Sequence, residues 1–305
     1  MIFTHPACLE HNAGPGHPES PDRLRAVLDA LAAEEFVRVP RHESPRATRE
    51  QLVRAHDATL VDALFEQAPT EGYVRIDADT VMSSASLEAA LRASGAVCAA
   101  VAATRAGPSR TSFCAVRPPG HHATRATAMG FCLFNSVAVA ALDAIASGLE
   151  RVAIVDFDVH HGNGTQDIFA SDARVLYASS HQAPLYPGTG RSNERGVGNV
   201  FNAPLAPGAG SSEFRDAYRT HVLPAVDAFA PQLLLVSAGF DGHRLDPLAG
   251  LNLSSEDYGW VTRELVAIAR RHQAPLVSTL EGGYSLTALR ESVTEHCRAL
   301  FEREP

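Results

Sequence analysis

The stretch RVAIVDFDVHHGNGTQ, residues 151–166, passes from apolar text into Asp156, Asp158, His160 and His161 within six positions. Carboxylates are costly to bury unless a cation or hydrogen bonds compensate them. Asp158 and His160 are a natural ligand pair for a divalent metal, and Asp241, in SAGFDGHRLDP, can supply a third donor. One imidazole and two carboxylates leave positions open for water and substrate, as catalytic zinc requires. Strand alternation points Asp156, Asp158 and His160 the same way if the chain stays extended. Alone, such a DxH pair favours the bland reading, two structural carboxylates capping neighbouring loops. His121-His122, Asp241 and Tyr284, each beyond the end of another apolar run, reverse that balance.

His121 and His122 follow a Pro-Pro-Gly turn. Adjacent side chains rarely bind one metal together, so at least one of these imidazoles is free for other work. An unperturbed imidazole titrates near ~6.5, suited to taking a proton from water and returning it to a leaving group. Asp156 can orient one ring through its N–H; a histidine pair merely hydrogen-bonded in a loop is the alternative. Tyr284 follows Glu281-Gly282-Gly283, and its phenol could hydrogen-bond the oxygen of a tetrahedral intermediate. It could equally be a packing residue. Gly130-Phe131 and Leu185-Tyr186-Pro187-Gly188 carry aromatics that could wall a narrow apolar tube, although aromatics more often serve the core.

These groups need a frame. Apolar runs at 111–116, 151–157, 174–179, 232–239 and 274–280 alternate with helical text at 86–104, 135–147, 211–229, 255–271 and 285–302. A further helix follows Ser20-Pro21, and TREQ at 48–51 has capping-box spacing. Strands of this kind, most of them apolar throughout and separated by helices, predict an α/β fold: one mostly parallel open sheet with helices on both faces. No repeat, linker or low-complexity tract divides the chain, so one domain over 1–305 is expected. FCAV runs into RPPGHH, AIVDF into DVHHGNG, LLLVSAG into FDGHRLDP and LVSTL into EGGY. In open parallel sheets ligands bind where such loops converge, at the carboxyl ends of the strands.

The composition is that of an ordinary globular protein, 45% hydrophobic and 20% charged. A net charge of −9 argues against a nucleic-acid surface. No apolar stretch is expected to approach the ~20 residues of a membrane helix, and the N-terminal text does not read as a signal peptide. Five scattered cysteines with no CxxC fit a reducing cytoplasm better than secretion.

Taken in order, HPESPDR, RPPGHHA, MGFCLFN, VDFDVHHGNGTQ, YPGTG, SAGFDGHRLDPL and LEGGY resemble the zinc-dependent histone deacetylase family, of arginase–deacetylase fold. The wording is nearer its class II branch and that branch's bacterial relatives. The resemblance implies a deacetylase catalytic domain acting on acyl-lysine proteins or peptides, or on small acylated amines. It makes Asp158, His160 and Asp241 the Zn2+ ligands and Tyr284 the group that polarises the carbonyl. His121 is then supported by Asp156, and His122 by Asn163, where class I members carry Asp. Gly130, Phe131 and Tyr186 match the acyl-lysine tunnel. Apolar Leu248 at its edge favours acyl-lysine over acetylpolyamine. A structural K+ is implied near Asp156, Asp158, His160, Ser179 and Ser180. Arg23 resembles a residue beside an internal acetate channel, or anchors its helix by a salt bridge. A two-metal ureohydrolase lacks ligands here, because Gly162 and Gly242-His243 stand where they would be needed. A catalytically silent module would be expected to lose a ligand or Tyr284, and neither is missing.

Overall fold

The computed structural model describes residues 1–302. In chain order it runs β1 (Ile2–Thr4), α1 (Ala7–Glu10), α2 (Pro21–Leu31), β2 (Arg41–Glu43), α3 (Arg49–Ala55) and α4 (Ala58–Gln67). There follow β3 (Tyr73–Arg75), β4 (Val81–Ser83), α5 (Ser86–Ala106), β5 (Thr111–Cys114), α6 (Ser136–Ala146), β6 (Val152–Asp156) and α7 (Asn163–Phe169). The chain continues through β7 (Val175–Gln182), β8 (Val200–Leu205), α8 (Ser211–Ala217) and α9 (Leu223–Phe229). It closes with β9 (Leu233–Ala238), α10 (Ser255–Arg271), β10 (Leu276–Leu280) and α11 (Leu286–Phe301).

Eight strands form one sheet in the order β2-β1-β5-β10-β9-β6-β7-β8, and every pairing within it is parallel. The pair β3-β4 forms a separate antiparallel ribbon. Every residue of β6, β9 and β10 is buried. Successive strand residues point to opposite faces, so both faces of the sheet centre are covered, as the expected α/β class requires. The four strands whose ends turn polar in the sequence are β5, β10, β9 and β6. They are consecutive in the sheet. Sheet order, not sequence order, brings their loops to one crevice.

Local chemistry accounts for the helix ends. Thr48 accepts from the Gln51 N–H while Gln51 returns the bond to Thr48, the expected capping box. Asn135 caps α6 by accepting from Ala138. The helix expected over 211–229 is broken by a π turn at Tyr218–Val222, beside Pro224, which has no N–H to donate to the preceding turn. A second expectation also needs correcting. α5 is long and apolar enough to cross a membrane, with 67% of its apolar window buried inside the fold. Its apolar character therefore serves the core.

Candidate active site

β6 ends at Asp156, so continued extension is not what aligns the acidic residues. Instead the chain coils back on its own carboxylates. The Asp158 N–H donates to Asp156 Oδ1 at 3.1 Å, and the His160 N–H donates to Asp158 Oδ1 at 2.9 Å. Asp156 thereby turns toward His121, while Asp158 and His160 turn toward Asp241. His160 Nδ1 lies 3.1 Å from Asp158 Oδ1 and 3.2 Å from Asp241 Oδ2. Among the described residues, Asp158, His160 and Asp241 are the group that offers three donor atoms within 4.8 Å of one another.

Backbone donors hold these carboxylates in place. Gly282 N–H donates to Asp158 Oδ2 at 2.8 Å, and Val159 N–H to Asp241 Oδ1 at 2.9 Å. A Cβ on Gly282 would come within 2.0 Å of Asp241 Oδ2 and 2.5 Å of Asp158 Oδ2. Only glycine allows that approach. Burial pushes the Asp241 carboxyl up to about 7, with the Asp158 charge adding to it. Burial opposes ionisation of Asp158 too, but His121 and His160 outweigh it and hold that carboxyl far below the usual range. Two buried carboxylates facing one imidazole make a donor set that a divalent cation fits: it neutralises both acids with N/O donors.

The tandem histidines have different partners. His121 Nδ1 faces Asp156 Oδ2 at 3.0 Å, and Tyr177 donates its hydroxyl to the same oxygen at 3.1 Å. His122 Nδ1 faces Asn163 Oδ1 at 2.8 Å. The two rings stand 4.0 Å apart. Burial opposes charge on His121, but Asp158 and Asp156 outweigh it and carry its pKa up to about 10. His122 lacks a carboxylate partner of its own, so burial and the neighbouring His121 and His160 hold it well below the ordinary value.

Around the histidines, Tyr186 sets its ring 5.1 Å from that of His122 and is 38% exposed. Phe131 meets Tyr284 edge-on at 6.0 Å. Gly130 packs so tightly that a Cβ would sit 2.5 Å from the His122 ring. Phe131 has the unusual φ of +68°, and its N–H donates to Thr80 Oγ1 at 3.0 Å. Leu248 is half-buried, with its N–H on Asp246 Oδ1 at 3.0 Å. Burial raises the Tyr284 phenol well above its ordinary value, with Arg23 opposing and the Asp241 and Asp158 charges adding. Ser179 pairs in register with Asp156. The next residue alternates to the other face, so the Ser180 hydroxyl meets Tyr218 instead, at 3.3 Å. His161 is not brought into the cluster; it bonds Thr189 and Gln166.

Three residues that sequence reasoning left without a role hold this site together. Asp246 Oδ2 accepts the Tyr284 N–H at 2.7 Å. Glu19 is buried against Arg23, Arg117 and His11. Arg23 also donates to the Gly283 carbonyl and lies 4.7 Å from the Tyr284 ring centre. Glu281 accepts the Gly120 N–H at 2.6 Å. All three stand inside quoted motifs (LDP, HPESPDR and EGGY), which was the only sign of them.

A parallel α/β sheet with an Asp-His-Asp cluster and paired histidines at its carboxyl edge is the arrangement of a hydrolase whose donor set fits a divalent cation. The histone deacetylase domain model matches residues 17–300. The crystal structure of the HDA15 HD domain is similar with a TM-score of 0.92 at 36% identity, covering 98% of this chain and 87% of that one. The histone deacetylase-like amidohydrolase of Pseudomonas aeruginosa is 38% identical over 93% of this chain and 81% of its own length. Type-2 histone deacetylase 2 of Dictyostelium discoideum is 35% identical over 99% of this chain, which spans only 21% of that longer protein. The chain belongs to the histone deacetylase family and is, with it, a hydrolytic enzyme.

Proposed function

We propose that this protein removes acetyl or other acyl groups from Nε-acyl-lysine side chains of proteins or peptides, with one Zn2+ held by Asp158, His160 and Asp241. The observation that carries the reading is the convergence of that three-donor cluster with two histidines of opposite partnering, His121 on a carboxylate and His122 on an amide. The bound ion supplies Lewis acidity toward the acyl carbonyl and lowers the pKa of water.

The chain's own residues supply the rest. Asn163 Nδ2 donates to the Met129 sulfur at 3.5 Å, which turns the amide oxygen toward His122. His122 Nδ1–H then donates to that oxygen and leaves Nε2 with a lone pair. His122 is thus the general base that takes the proton from attacking water. His121, hydrogen-bonded to Asp156, adds positive charge beside the developing oxyanion when it carries the second proton, and the histidine pair returns a proton to the departing amine. The Tyr284 phenol stays protonated and donates to the carbonyl oxygen as it gains charge. Phe131 and Tyr186 wall the entry for the lysine stem over Gly130, and Leu248 keeps that edge apolar, favouring acyl-lysine over acetylpolyamine. A structural K+ belongs to the same reading, with oxygens of Asp156, Asp158, His160, Ser179 and Ser180 around it. Five free, buried thiols support a reducing compartment, the cytoplasm.

The test is turnover of acetyl-lysine peptides and of acetylputrescine, with and without a chelator. Chelator-sensitive turnover of the peptides in preference to the polyamine is expected. Preference for acetylputrescine would transfer the substrate assignment, and chelator-resistant turnover would remove the metal from it.

A further inference from the structure

Glu281 is fully buried, carries a carboxylate and takes no part in the chemistry above. It stands just past the end of β10, between β5 and β9 in the sheet. Both of its oxygens are engaged across those neighbours. Oε2 accepts the N–H of Gly120 at 2.6 Å and of His121 at 3.2 Å, and Oε1 accepts the Ser237 hydroxyl at 3.2 Å. Its own carbonyl accepts from the Arg23 guanidinium.

We infer that Glu281 is the positioning residue for the proton-transfer pair: its carboxylate fixes the backbone of the Gly120-His121-His122 turn, and so where both imidazoles stand. The turn's carbonyls are held elsewhere, the His121 carbonyl by the Thr165 N–H at 3.2 Å and the Gly120 carbonyl by the Ala123 N–H at 3.1 Å, so Glu281 is the acceptor that serves its N–H groups. Gly120 is pressed against the start of α6, where a Cβ would come within 2.7 Å of the Ser136 nitrogen. The turn therefore cannot shift that way, and the Glu281 oxygen fixes it from the strand side. Without that oxygen, two buried N–H groups lose their acceptor, a state that favours local rearrangement. The rings hang from the residue so anchored and its neighbour, so a small rotation of this backbone displaces both from Asp156 and Asn163. Misplacement of about 1 Å in a reacting group costs on the order of a hundredfold in rate.

The inference rests on the proton-transfer roles proposed for His121 and His122, and its test separates the two. Glu281→Ala deletes the acceptor. Glu281→Gln can keep it, with the amide oxygen on Gly120 and the amide nitrogen donating to Ser237. Three quantities are measured on the metal-loaded protein: amide hydrogen exchange in the peptide covering 117–123, kcat and KM on an acetyl-lysine peptide, and bound zinc. In Glu281→Ala, exchange of that segment accelerates, kcat falls on the order of a hundredfold, KM stays within about threefold, and zinc is retained. Glu281→Gln restores slow exchange and returns kcat to within about tenfold of the parent. Unchanged exchange in Glu281→Ala overturns the inference, whatever the activity does. A Gln variant as impaired as the Ala variant also overturns it, because charge would then matter and not the tether. Should Glu281→Ala fail to fold, the Gln variant decides alone: slow exchange with near-parent kcat supports the tether, and fast exchange or a hundredfold loss refutes it. If the parent protein hydrolyses no acyl-lysine peptide, the proposed function fails, and the exchange measurement still decides the tether.

Discussion

Nδ1 of His122 meets the side-chain amide oxygen of Asn163 at 2.8 Å. One position earlier, His121 meets the Asp156 carboxylate at 3.0 Å. Two adjacent imidazoles thus see one neutral and one anionic partner, and their proton affinities separate in opposite directions from the ordinary value. Environments that push paired titratable groups apart assign acid and base roles.

Asn163→Asp tests that division. A carboxylate in place of the amide stabilises the imidazolium of His122 and raises its pKa. The neutral base then exists only at higher pH, so the acid limb of kcat/KM moves up by about one unit. The profile is measured between pH 5 and 9. An unmoved acid limb would assign the base elsewhere.

Tyr284→Phe removes a hydroxyl and little volume. Bound metal is expected to stay at the parent level, whereas kcat falls by about 10²–10³, the usual loss of one oxyanion donor. Elemental analysis and steady-state kinetics check the two halves. Parent-like turnover would return Tyr284 to a packing role.

Gly282→Ala places a methyl where the structure leaves 2.0 Å to Asp241 Oδ2. The carboxylates must separate to admit it, so metal affinity is expected to fall about tenfold or more. A chelator titration measures this. Undiminished affinity would mean that the two acids do not share an ion at this spacing.

Stability has its own pH signature, away from the metal cluster. His56 accepts the Asn135 N–H on Nε2 at 2.9 Å and donates Nδ1–H to the Thr124 carbonyl at 2.8 Å, so its neutral form is built in. Burial lowers its pKa to about 4, and lowers that of His296 to about 3. Below about 6.5 the unfolded chain binds protons at these sites and the folded chain does not. Stability is therefore complete above that pH and is lost as pH falls toward 4, on the order of a few kcal/mol for each histidine. Urea midpoints across this window should decline, and His56→Gln should flatten the slope. A flat parent curve would contradict the assignment.

Much of this frame was legible in the sequence because it rests on local patterns. FCAV, AIVDF, LLLVSAG and LVSTL are strands buried on both faces, and such strands are mostly apolar, with polar side chains such as Asp156, Ser237 and Ser278 toward their carboxyl ends. β1 and β2 are only three residues each, too short for a periodic signal. β8 carries Asn202 and Pro204 in an edge strand, so it shows no continuous apolar run. The ligand donors could be read because metal chemistry restricts residue types. Asp246 and Glu281 could not, since each accepts backbone N–H groups brought near only by folding, from 38 and 161 positions away. Backbone donors leave no mark on the identity of the residue that supplies them.

Whether one ion is shared by Asp158, His160 and Asp241 is answered most directly by anomalous X-ray diffraction, at the zinc edge, from crystals of the zinc-loaded protein. The account predicts a single strong peak bonded to one oxygen-bearing carboxylate from each aspartate and to His160 Nδ1. A peak at another cluster, or none among these three side chains, would contradict it.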